Sequence, residues 1–456
     1  MTEQLIISVS GMRGIIGENL TAPIAVEYGC AFGTFLKRNN PESKLNVCIG
    51  MDSRPSGCML KTAVTAGLTS VGIDVIDLGL VTTPSVGVSL RELGCAGGVI
   101  ITASHNPIRY NGIKLLLDNG MAPSPESAEL IRKYFLDKNV TYSDSVSCGK
   151  MICDNQADER HISKVLAIID KNLIASKKFK IALDSVNGAG GPITKKLLSK
   201  LGCEVFAINC EPTGIFAHTP EPTAENLKGF CEAVKTGKTD IGFAQDPDAD
   251  RLAIVDENGN YLGEEYTLAL AAKYILSKRA GDAAANLSTS RMIDDIAAKS
   301  GSHVFRTPVG EANVAAAMIE HNCIIGGEGN GGVIDLRVGP VRDSLTGIAL
   351  VLQMMAETGK PISQLAGDIN HYCMIKEKFA ADKNLAQKIF DAAKITFSQA
   401  KVDSSDGYRF DFDDAWLHIR SSNTEPVVRV IAEAADRNSA DKYINAVLKI
   451  RNSILG

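Results

Sequence analysis

The residues with the clearest chemical potential lie between Thr102 and Lys114, and Ser104 is at their centre. Ser104 follows the apolar run 98–101, which predicts a buried strand, so its hydroxyl is expected where the strand ends in a turn that leads to a helix. Backbone N–H groups at such a bend can bind the oxygens of a group that is being transferred. For an isolated Ser-His pair, the alternative is a helix cap by Ser104 with a local hydrogen bond from His105.

Two turns follow this serine. The sequence Asn-Pro at 106–107 predicts the first, and Asn-Gly at 111–112 predicts the second, directly before Lys114. The turns place two positive side chains, Arg109 and Lys114, on either side of Ser104. Positive charge on both sides favours an anionic group at the serine hydroxyl.

A second feature is the segment 245–251, in which aspartates alternate with other residues. Side chains two apart in an extended segment lie on the same side, so Asp246, Asp248 and Asp250 are expected to converge on one ion. Three carboxylates are the hard ligands that Mg²⁺ prefers, and their mutual repulsion without a cation argues against a merely solvated loop. A helix-loop-helix Ca²⁺ site fits less well, because its final glutamate is missing.

Two later segments have the composition of ligand-binding loops. Residues 326–332 contain five glycines around Glu328, which let the backbone and this carboxylate approach a ligand. Arg342 follows in a turn and is expected to pair with this loop. Residues 420–426 combine a guanidinium, hydroxyls and an amide, and Arg429 adds a cation, so this segment has the donors that a phosphate dianion needs. An ordinary surface loop is the alternative for both segments.

The strands and helices predicted between these motifs indicate how the motifs are positioned. Strand and helix patterns alternate singly up to about residue 367, which predicts α/β units with many parallel strands. Beyond that point the alternation changes, which predicts a separate α+β domain. A β-hairpin is expected over 251–262, with its turn at Asn258-Gly259. Since 456 residues are too many for one core, we expect four domains, at 1–146, 147–258, 259–367 and 368–456.

Composition narrows the class of protein. With 45% hydrophobic and 22% charged residues, the chain is an ordinary globular protein rather than a disordered one. A net charge of −5, without a basic patch interleaved with aromatic residues, argues against nucleic-acid binding. The eleven cysteines form no Cys-x-x-Cys pair, the N-terminus does not resemble a signal peptide, and no apolar run approaches a membrane span. We therefore expect a cytoplasmic protein that binds no nucleic acid and no membrane.

Together, the motifs resemble those of the α-D-phosphohexomutase family. The serine stretch is similar to the family's phosphoserine signature, and the aspartate segment matches its Asp-x-Asp-x-Asp-Arg metal loop. The glycine-rich segment is similar to its Gly-Glu-x-Ser-Gly-His sugar loop, although Asn330 replaces the serine and Gly332 the histidine. Residues 420–429 resemble its Arg-x-Ser-x-Thr-Glu-Pro-x-x-Arg phosphate loop. The resemblance implies an α/β fold of three related α/β domains with mixed sheets plus a smaller C-terminal α+β domain around a central cleft.

The resemblance also implies a role for each candidate residue. Ser104 would carry the transferred phosphoryl group and would hold Mg²⁺ together with the three aspartates. Arg13, in a glycine-containing turn near the N-terminus, would help to hold this group, and His105 or Lys114 would act as the acid or base. The implied sugar-binding residues are Glu328, Asn330 and Arg251. The implied ligands of the non-reacting phosphate are Arg420, Ser422, Asn423, Thr424 and Arg429.

The implied function is that of an isomerase, a phosphohexomutase that moves a phosphoryl group between O6 and O1 of a hexose phosphate through a hexose 1,6-bisphosphate. The Ser-Gly-x-Arg-Gly opening and the glycine-rich loop are similar to chains that convert glucosamine 6-phosphate to glucosamine 1-phosphate, with mannose or glucose phosphates as the alternative. A metal-dependent sugar phosphatase and a non-catalytic sugar-phosphate sensor are the rival classes. A monomer or homodimer is expected.

Overall fold

The structure is a computed structural model, and it describes residues 5–41, 44–422 and 427–455. Over these residues the chain forms four β-sheets in succession, of seven, four, four and five strands. None of the helices in this part of the chain is both long and apolar enough to cross a membrane. The succession confirms the predicted α/β fold with a final α+β unit.

The first unit is built on a mixed sheet in the order β1-β2-β6-β5-β3-β4-β7. Its elements are β1 (Ile6–Ser8), β2 (Gly11–Ile15), α1 (Ala22–Asn39), β3 (Asn46–Met51), α2 (Gly57–Ser70), β4 (Asp74–Leu80), α3 (Thr83–Glu92), β5 (Gly97–Ile101), β6 (Tyr110–Leu117), α4 (Pro125–Leu136) and β7 (Met151–Cys153). Strands β4, β3 and β5 run parallel, whereas β6 and β2 are antiparallel additions. The five residues of β5 are all buried, as their apolar run predicts.

The second and third units have smaller sheets, in the orders β11-β10-β8-β9 and β13-β12-β14-β15. The second comprises α5 (Ala157–Leu166), α6 (Lys171–Lys177), β8 (Lys180–Asp184), α7 (Gly190–Lys200), β9 (Glu204–Ile208), α8 (Lys228–Gly237), β10 (Ile241–Gln245) and β11 (Leu252–Val255). The third comprises α9 (Glu264–Lys278), β12 (Ala283–Asn286), α10 (Met292–Lys299), β13 (Val304–Thr307), α11 (Glu311–Glu320), β14 (Ile325–Glu328), β15 (Gly332–Ile334), α12 (Ser344–Thr358) and α13 (Ile362–Gly367).

The three α/β units share one strand arrangement. In each, three parallel strands are followed by an antiparallel strand: β4-β3-β5 with β6, β9-β8-β10 with β11, and β13-β12-β14 with β15. The loop that enters the antiparallel strand therefore occupies an equivalent position in each unit. These loops contain Ser104 in the first unit, the three aspartates in the second, and the glycines after Glu328 in the third.

Helix α12 holds the second and third units together. It is apolar around most of its circumference and buried from Ser344 to Ala356, as expected for a helix in the interior. It packs on α5 and α6 of the second unit and on α9 of the third. Ile162, Ile174 and Ile348 belong to the same apolar cluster, so the core is continuous across these units.

The C-terminal unit has an entirely antiparallel sheet in the order β16-β20-β19-β18-β17. Its elements are β16 (Cys373–Ala380), α14 (Lys383–Thr396), β17 (Lys401–Asp403), β18 (Tyr408–Asp411), β19 (Ala415–Ser421), β20 (Val427–Ala434) and α15 (Arg437–Leu455). The helices cover an apolar core that includes Ile389, Phe410 and Ile444. The buried carboxylate of Glu433 joins this unit to the third, because its Oε1 accepts from Trp416 Nε1 at 2.7 Å and from the Arg291 backbone N–H at 2.9 Å.

The predicted hairpin over 251–262 is found in a short form. Strand β11 pairs antiparallel with β10 across the aspartate loop. Beyond β11 the chain turns at Asn258-Gly259, where Val255 bridges Tyr261 and the Leu262 N–H donates to Ile254 O at 3.0 Å. The apolar residues of β11 are buried because they lie in the sheet of the second unit. The turn at Asn258-Gly259 is therefore followed by a short antiparallel pairing and then by α9.

Candidate active site

Ser104 lies in the loop between β5 and β6, and its hydroxyl faces the aspartate loop of the second unit. The side chain is 3% exposed, and Oγ donates to Asp246 Oδ2 at 2.8 Å and lies 3.3 Å from His105 Nδ1. The helix predicted after Ser104 is wrong, because the chain turns at Asn106-Pro107 and returns as the antiparallel strand β6. Ser104 itself adopts a left-handed backbone conformation (φ 49°), which is uncommon for a residue other than glycine.

Arg54, which sequence reasoning missed, holds this loop in place. Its guanidinium donates to four backbone carbonyl oxygens of the serine loop, those of Ser104 (2.6 Å), Asn106 (2.6 Å), Pro107 (2.9 Å) and Tyr110 (2.9 Å). Asp52 balances its charge at 3.1 Å, and both side chains are fully buried. A signal was present in the sequence, because Asp52 and Arg54 follow directly after the buried strand β3.

Replacing Arg54 with lysine should therefore loosen the serine loop. A lysine keeps the charge that Asp52 needs, but its ammonium cannot reach four carbonyl oxygens. We expect the melting temperature to fall by roughly 5 °C, since buried donors and acceptors lose their partners. Differential scanning calorimetry would measure this, with the partly exposed Arg132→Lys on α4 as the matched control. Equal melting temperatures for the two variants would contradict the role given to Arg54.

The three aspartates converge, but not through an extended segment as predicted. Their loop is a tight turn, in which the Ala249 N–H donates to Asp246 O at 3.0 Å and Ala249 has φ 55°. One carboxylate oxygen of each aspartate lies within 4.8 Å of the others, and all three side chains are buried. The turn rests on residues 185–191, where a Cβ on Gly188 would lie 2.6 Å from the backbone of Pro247. Position 188 is therefore a glycine because the close approach of Pro247 leaves no space for a side chain.

The aspartate cluster has the properties of a cation site. Among the described residues, no hydrogen-bond donor reaches Asp248 Oδ1 or Asp250 Oδ1, although both atoms are buried. Burial and the negative charges of Asp248 and Asp250 raise the pKa of Asp246 well above its usual value. Buried carboxylate oxygens without donors are costly unless a cation binds them. Three hard oxygen donors of this kind fit Mg²⁺.

Two side chains from the first unit hold Asp248. Lys114 Nζ on β6 lies 2.7 Å from Asp248 Oδ2 and 3.7 Å from Asp250 Oδ2, and the Thr83 hydroxyl, at the start of α3, donates to Asp248 Oδ2 at 2.6 Å. Burial opposes the charge on Lys114, but the two aspartates outweigh it and raise the pKa of the ammonium. Lys114 is thus a fixed positive charge in this arrangement. Thr83 lies in no sequence motif that would indicate this contact.

The other predicted residues of the first unit lie around the serine loop. Arg13, on β2, donates to Asn106 Oδ1 at 2.8 Å. The positive charge of Arg251, burial and the charge of Arg13 hold the pKa of His105 well below its usual value, so its imidazole is neutral near pH 7. Arg109 is exposed at the far end of the loop, where its guanidinium lies over the Tyr110 ring. Arg13 thus contacts the serine loop at Asn106, two residues after Ser104.

In the third unit, Glu328 ends β14 and is buried and held by four donors. Its carboxylate accepts from Asn286 Nδ2 at 2.7 Å, Gly310 N at 3.1 Å, Asn330 Nδ2 at 3.3 Å and a guanidinium N–H of Arg342. Burial opposes its ionisation, but the charge of Arg342 outweighs it and lowers the pKa of Glu328. None of these four donors is a glycine of the segment 326–332. The expected pairing of Arg342 with this loop is found.

Arg251 directly follows the aspartates and lies beside Asp250. Its Nε is 3.8 Å from Asp250 Oδ1, and one terminal nitrogen is 3.4 Å from Glu221 Oε1. Glu221 Oε1 also lies 3.9 Å from His105 Nε2. The chain around residue 221 therefore brings a carboxylate to the serine loop that no sequence motif indicated.

The predicted phosphate loop is only partly within the described residues. Arg420 is the penultimate residue of β19 and lies opposite Arg429 on β20, and Asp406 Oδ2 accepts from Arg420 Nε at 2.9 Å. Asp406 Oδ2 also accepts from the Val309 backbone N–H of the third unit at 3.0 Å. Ser422 follows β19, and its N–H donates to Val427 O at 2.9 Å. Asn423 and Thr424 lie outside the described residues.

A buried histidine connects the three α/β units behind the aspartate loop. His161 on α5 lies 2.9 Å from Ser85 Oγ on α3 and 2.9 Å from Asp343 Oδ2 at the start of α12. All three residues are at most 3% exposed. Since α3 also carries Thr83, and Asp343 follows Arg342, this link fixes the elements that contact Asp248 and Asp250.

Comparison with known families covers nearly the whole chain. The four models of phosphoglucomutase/phosphomannomutase match in order: alpha/beta/alpha domain I at residues 4–140, domain II at 159–259, domain III at 263–372 and the C-terminal domain at 372–450. Each of the first three matches contains one of the equivalent loops described above.

Individual relatives agree with the family models. A protein of Thermococcus kodakarensis named phosphoglucomutase/phosphomannomutase is 38% identical over 450 residues, with 98% of each chain covered. A protein of Methanopyrus kandleri named probable phosphoglucosamine mutase is 35% identical over 446 residues, with 96% of each covered. The crystal structure of a phosphoglucomutase/phosphomannomutase family protein from Burkholderia thailandensis superposes with a TM-score of 0.86 at 26% identity, covering 98% of this chain and 97% of that one. The chain therefore belongs to the phosphoglucomutase/phosphomannomutase family and is an isomerase with phosphohexomutase activity.

Proposed function

We propose that the protein interconverts glucosamine 6-phosphate and glucosamine 1-phosphate through a phosphoserine at Ser104. The observation that carries the proposal is the 2.8 Å contact between Ser104 Oγ and Asp246, beside two buried carboxylate oxygens without donors. A phosphoryl group on this oxygen would repel the aspartates unless a divalent cation lay between them. The serine and the aspartates thus fit one site that holds a phosphoryl group and a metal ion together.

Mg²⁺ is the proposed metal, held by Asp246, Asp248, Asp250 and an oxygen of phosphorylated Ser104. When bound, it would supply positive charge that stabilises the oxygens of the transferring phosphoryl group. Lys114 and Arg13 add positive charge from the first unit, and both are already fixed by hydrogen bonds. Fixed cations need little reorganisation as negative charge develops during transfer.

His105 is the proposed proton carrier. As the sugar hydroxyl attacks the phosphorus atom and the bond to Ser104 Oγ breaks, the hydroxyl proton must leave and the serine oxygen must regain one. The neutral imidazole, 3.3 Å from Oγ, is able to take the first proton and return it to the serine. Lys114 is less suited to this role because Asp248 and Asp250 hold it in its charged form.

The substrate's other phosphate is proposed to bind to Arg420, Ser422, Asn423, Thr424 and Arg429 in the C-terminal unit. Glu328, Asn330 and Arg251 would bind the sugar between the two phosphate sites. The 1,6-bisphosphate would then turn end for end, so that its second phosphoryl group returns to Ser104. We propose 1–146, 147–258, 259–367 and 368–456 as the corresponding domains.

We propose glucosamine phosphate as the substrate because the Methanopyrus relative, which aligns over 96% of both chains, is named probable phosphoglucosamine mutase. Glucose and mannose phosphates are the second candidates, since the Thermococcus relative at 38% identity is named for both. Nothing among the described contacts of Glu328 distinguishes a sugar amino group from a hydroxyl, so the choice rests on this similarity.

A direct assay separates these activities. The enzyme would be incubated with each 6-phosphate, Mg²⁺ and a trace of glucose 1,6-bisphosphate, and the 1-phosphates and inorganic phosphate would be measured together. We expect the 1-phosphate to form without release of phosphate, and kcat/KM to be highest for glucosamine 6-phosphate, by about 10-fold or more. Release of phosphate as the main product would indicate a phosphatase, and a higher kcat/KM for glucose or mannose 6-phosphate would replace the preferred sugar.

A further inference from the structure

The guanidinium of Arg342 contacts three carboxylates that belong to three different elements. Its terminal nitrogens lie 2.6 Å from Asp250 Oδ2 in the aspartate loop and 2.5 Å from Glu328 Oε2 at the end of β14. Its Nε lies 3.1 Å from Glu311 Oε2 at the start of α11. The side chain is 12% exposed, so these contacts are largely shielded from water. Arg342 is thus the charged group that spans the proposed metal site and the proposed sugar site.

The backbone of the two loops meets at the same place. The Leu252 N–H, directly after the aspartate loop, donates to Gly331 O at 3.0 Å. A Cβ on Gly331 would lie 2.3 Å from Leu252 O, so the loops touch without space for a side chain between them. Arg342 therefore fixes the charged ends of two loops whose backbones are already in contact.

Gly332 leaves the space that the stem of Arg342 fills. A Cβ built on Gly332 would lie 2.1 Å from Arg342 Cδ and 2.7 Å from its Cγ. These atoms are in the middle of the side chain, whose far end is held by three carboxylates, so the stem cannot move aside without breaking those contacts. The presence of Arg342 therefore explains why position 332 is a glycine here, where the similar motif has a histidine.

We propose that Arg342 is a positioning residue that holds the Glu328 carboxylate at a fixed place relative to Asp250, and that Gly332 is required because the arginine stem occupies the space of its side chain. This inference rests on the proposed function, in which Asp250 holds the metal and Glu328 holds the sugar. Arginine suits the task because its planar fork donates to several carboxylates at once, whereas a lysine ammonium is a single point charge.

A double-mutant cycle tests the link between the two positions. Gly332→Ala should lower kcat/KM on the order of 10-fold by displacing the arginine, and Arg342→Ala on the order of 100-fold by removing a buried charged partner. In the Arg342→Ala background, Gly332→Ala should cost less than about 3-fold, because the space is then free. Gly229→Ala on α8 is the control, since a Cβ there meets nothing within 4 Å. An equal cost of Gly332→Ala in both backgrounds would overturn the proposal.

Binding measurements separate positioning from a general loss of structure. Arg342→Ala removes a positive charge next to Asp250, so the Kd for Mn²⁺, measured by electron paramagnetic resonance, should stay the same or fall, while the Kd for glucosamine 6-phosphate, measured by calorimetry, should rise about 10-fold or more. A higher Kd for Mn²⁺ together with unchanged sugar binding would overturn the proposal. If Arg342→Ala does not fold, Arg342→Lys, which should show the same pattern with smaller changes, takes its place. A wild-type protein with no mutase turnover would reject the proposed function instead, and the two binding measurements on Arg342→Ala would still decide the role of Arg342.

Discussion

Ser104→Ala should abolish mutase turnover, with a loss of about 10⁴-fold or more in kcat. The reason is that alanine removes the oxygen that would carry the phosphoryl group between the two half-reactions. The backbone should remain, because the four carbonyl contacts of Arg54 and the pairing of β6 with β5 do not use the serine side chain. Isomerisation would be followed in a coupled assay with Mg²⁺ and glucose 1,6-bisphosphate.

Intact mass spectrometry provides the second measurement for this variant. After incubation with glucose 1,6-bisphosphate, the wild-type chain should gain the mass of one phosphoryl group, and Ser104→Ala should gain none. Ser176→Ala, at an exposed position on α6, is the matched control and should behave like the wild type. Turnover by Ser104→Ala within about 10-fold of the control would rule out the phosphoserine mechanism.

Asp248→Asn should cause the second largest loss, about 10³-fold in kcat at saturating Mg²⁺. The amide keeps the shape of the carboxylate, but it brings no negative charge to the cation or to Lys114, which lies 2.7 Å from Asp248 Oδ2. The ammonium would then lose its main partner in a buried site, and the metal would lose one of three charged ligands. Turnover as a function of Mg²⁺ concentration would measure both effects.

Metal binding itself would be measured by titration with Mn²⁺ under electron paramagnetic resonance. We expect one site in the wild type and a Kd at least about 10-fold higher in Asp248→Asn. Asp335→Asn is the matched control, because Asp335 is also buried but pairs with Arg337 away from the serine. Full activity of the wild type in excess chelator, or equal Mn²⁺ affinity in the two variants, would remove the aspartates from the metal site.

Local sequence patterns are sufficient for much of the architecture. Three predicted features depend only on neighbours within one or two elements. They are the buried run before Ser104, the single alternation of strands and helices, and the change in the order of strands and helices near residue 368. The convergence of Asp246, Asp248 and Asp250 was also predictable, although for a different backbone, because carboxylates two residues apart lie close together in both an extended segment and a tight turn. The localisation and the oligomeric state stay predictions.

Local sequence patterns do not predict contacts between residues that are far apart in the chain. Arg342 is 92 residues from Asp250, and Arg54 is 50 residues from Ser104. With 48 Lys and Arg and 53 Asp and Glu in the chain, spacing alone cannot indicate which cation meets which carboxylate. The same limit explains the failure of local reasoning at the helix predicted after Ser104, since that segment returns instead as β6 and pairs with β5. The sequence therefore specifies the chemical groups and their approximate places on strand ends. The packing of the three equivalent loops against one another determines which of those groups share a buried site, because a buried charge is stable only where hydrogen-bond donors, an opposite charge or a bound cation partner it.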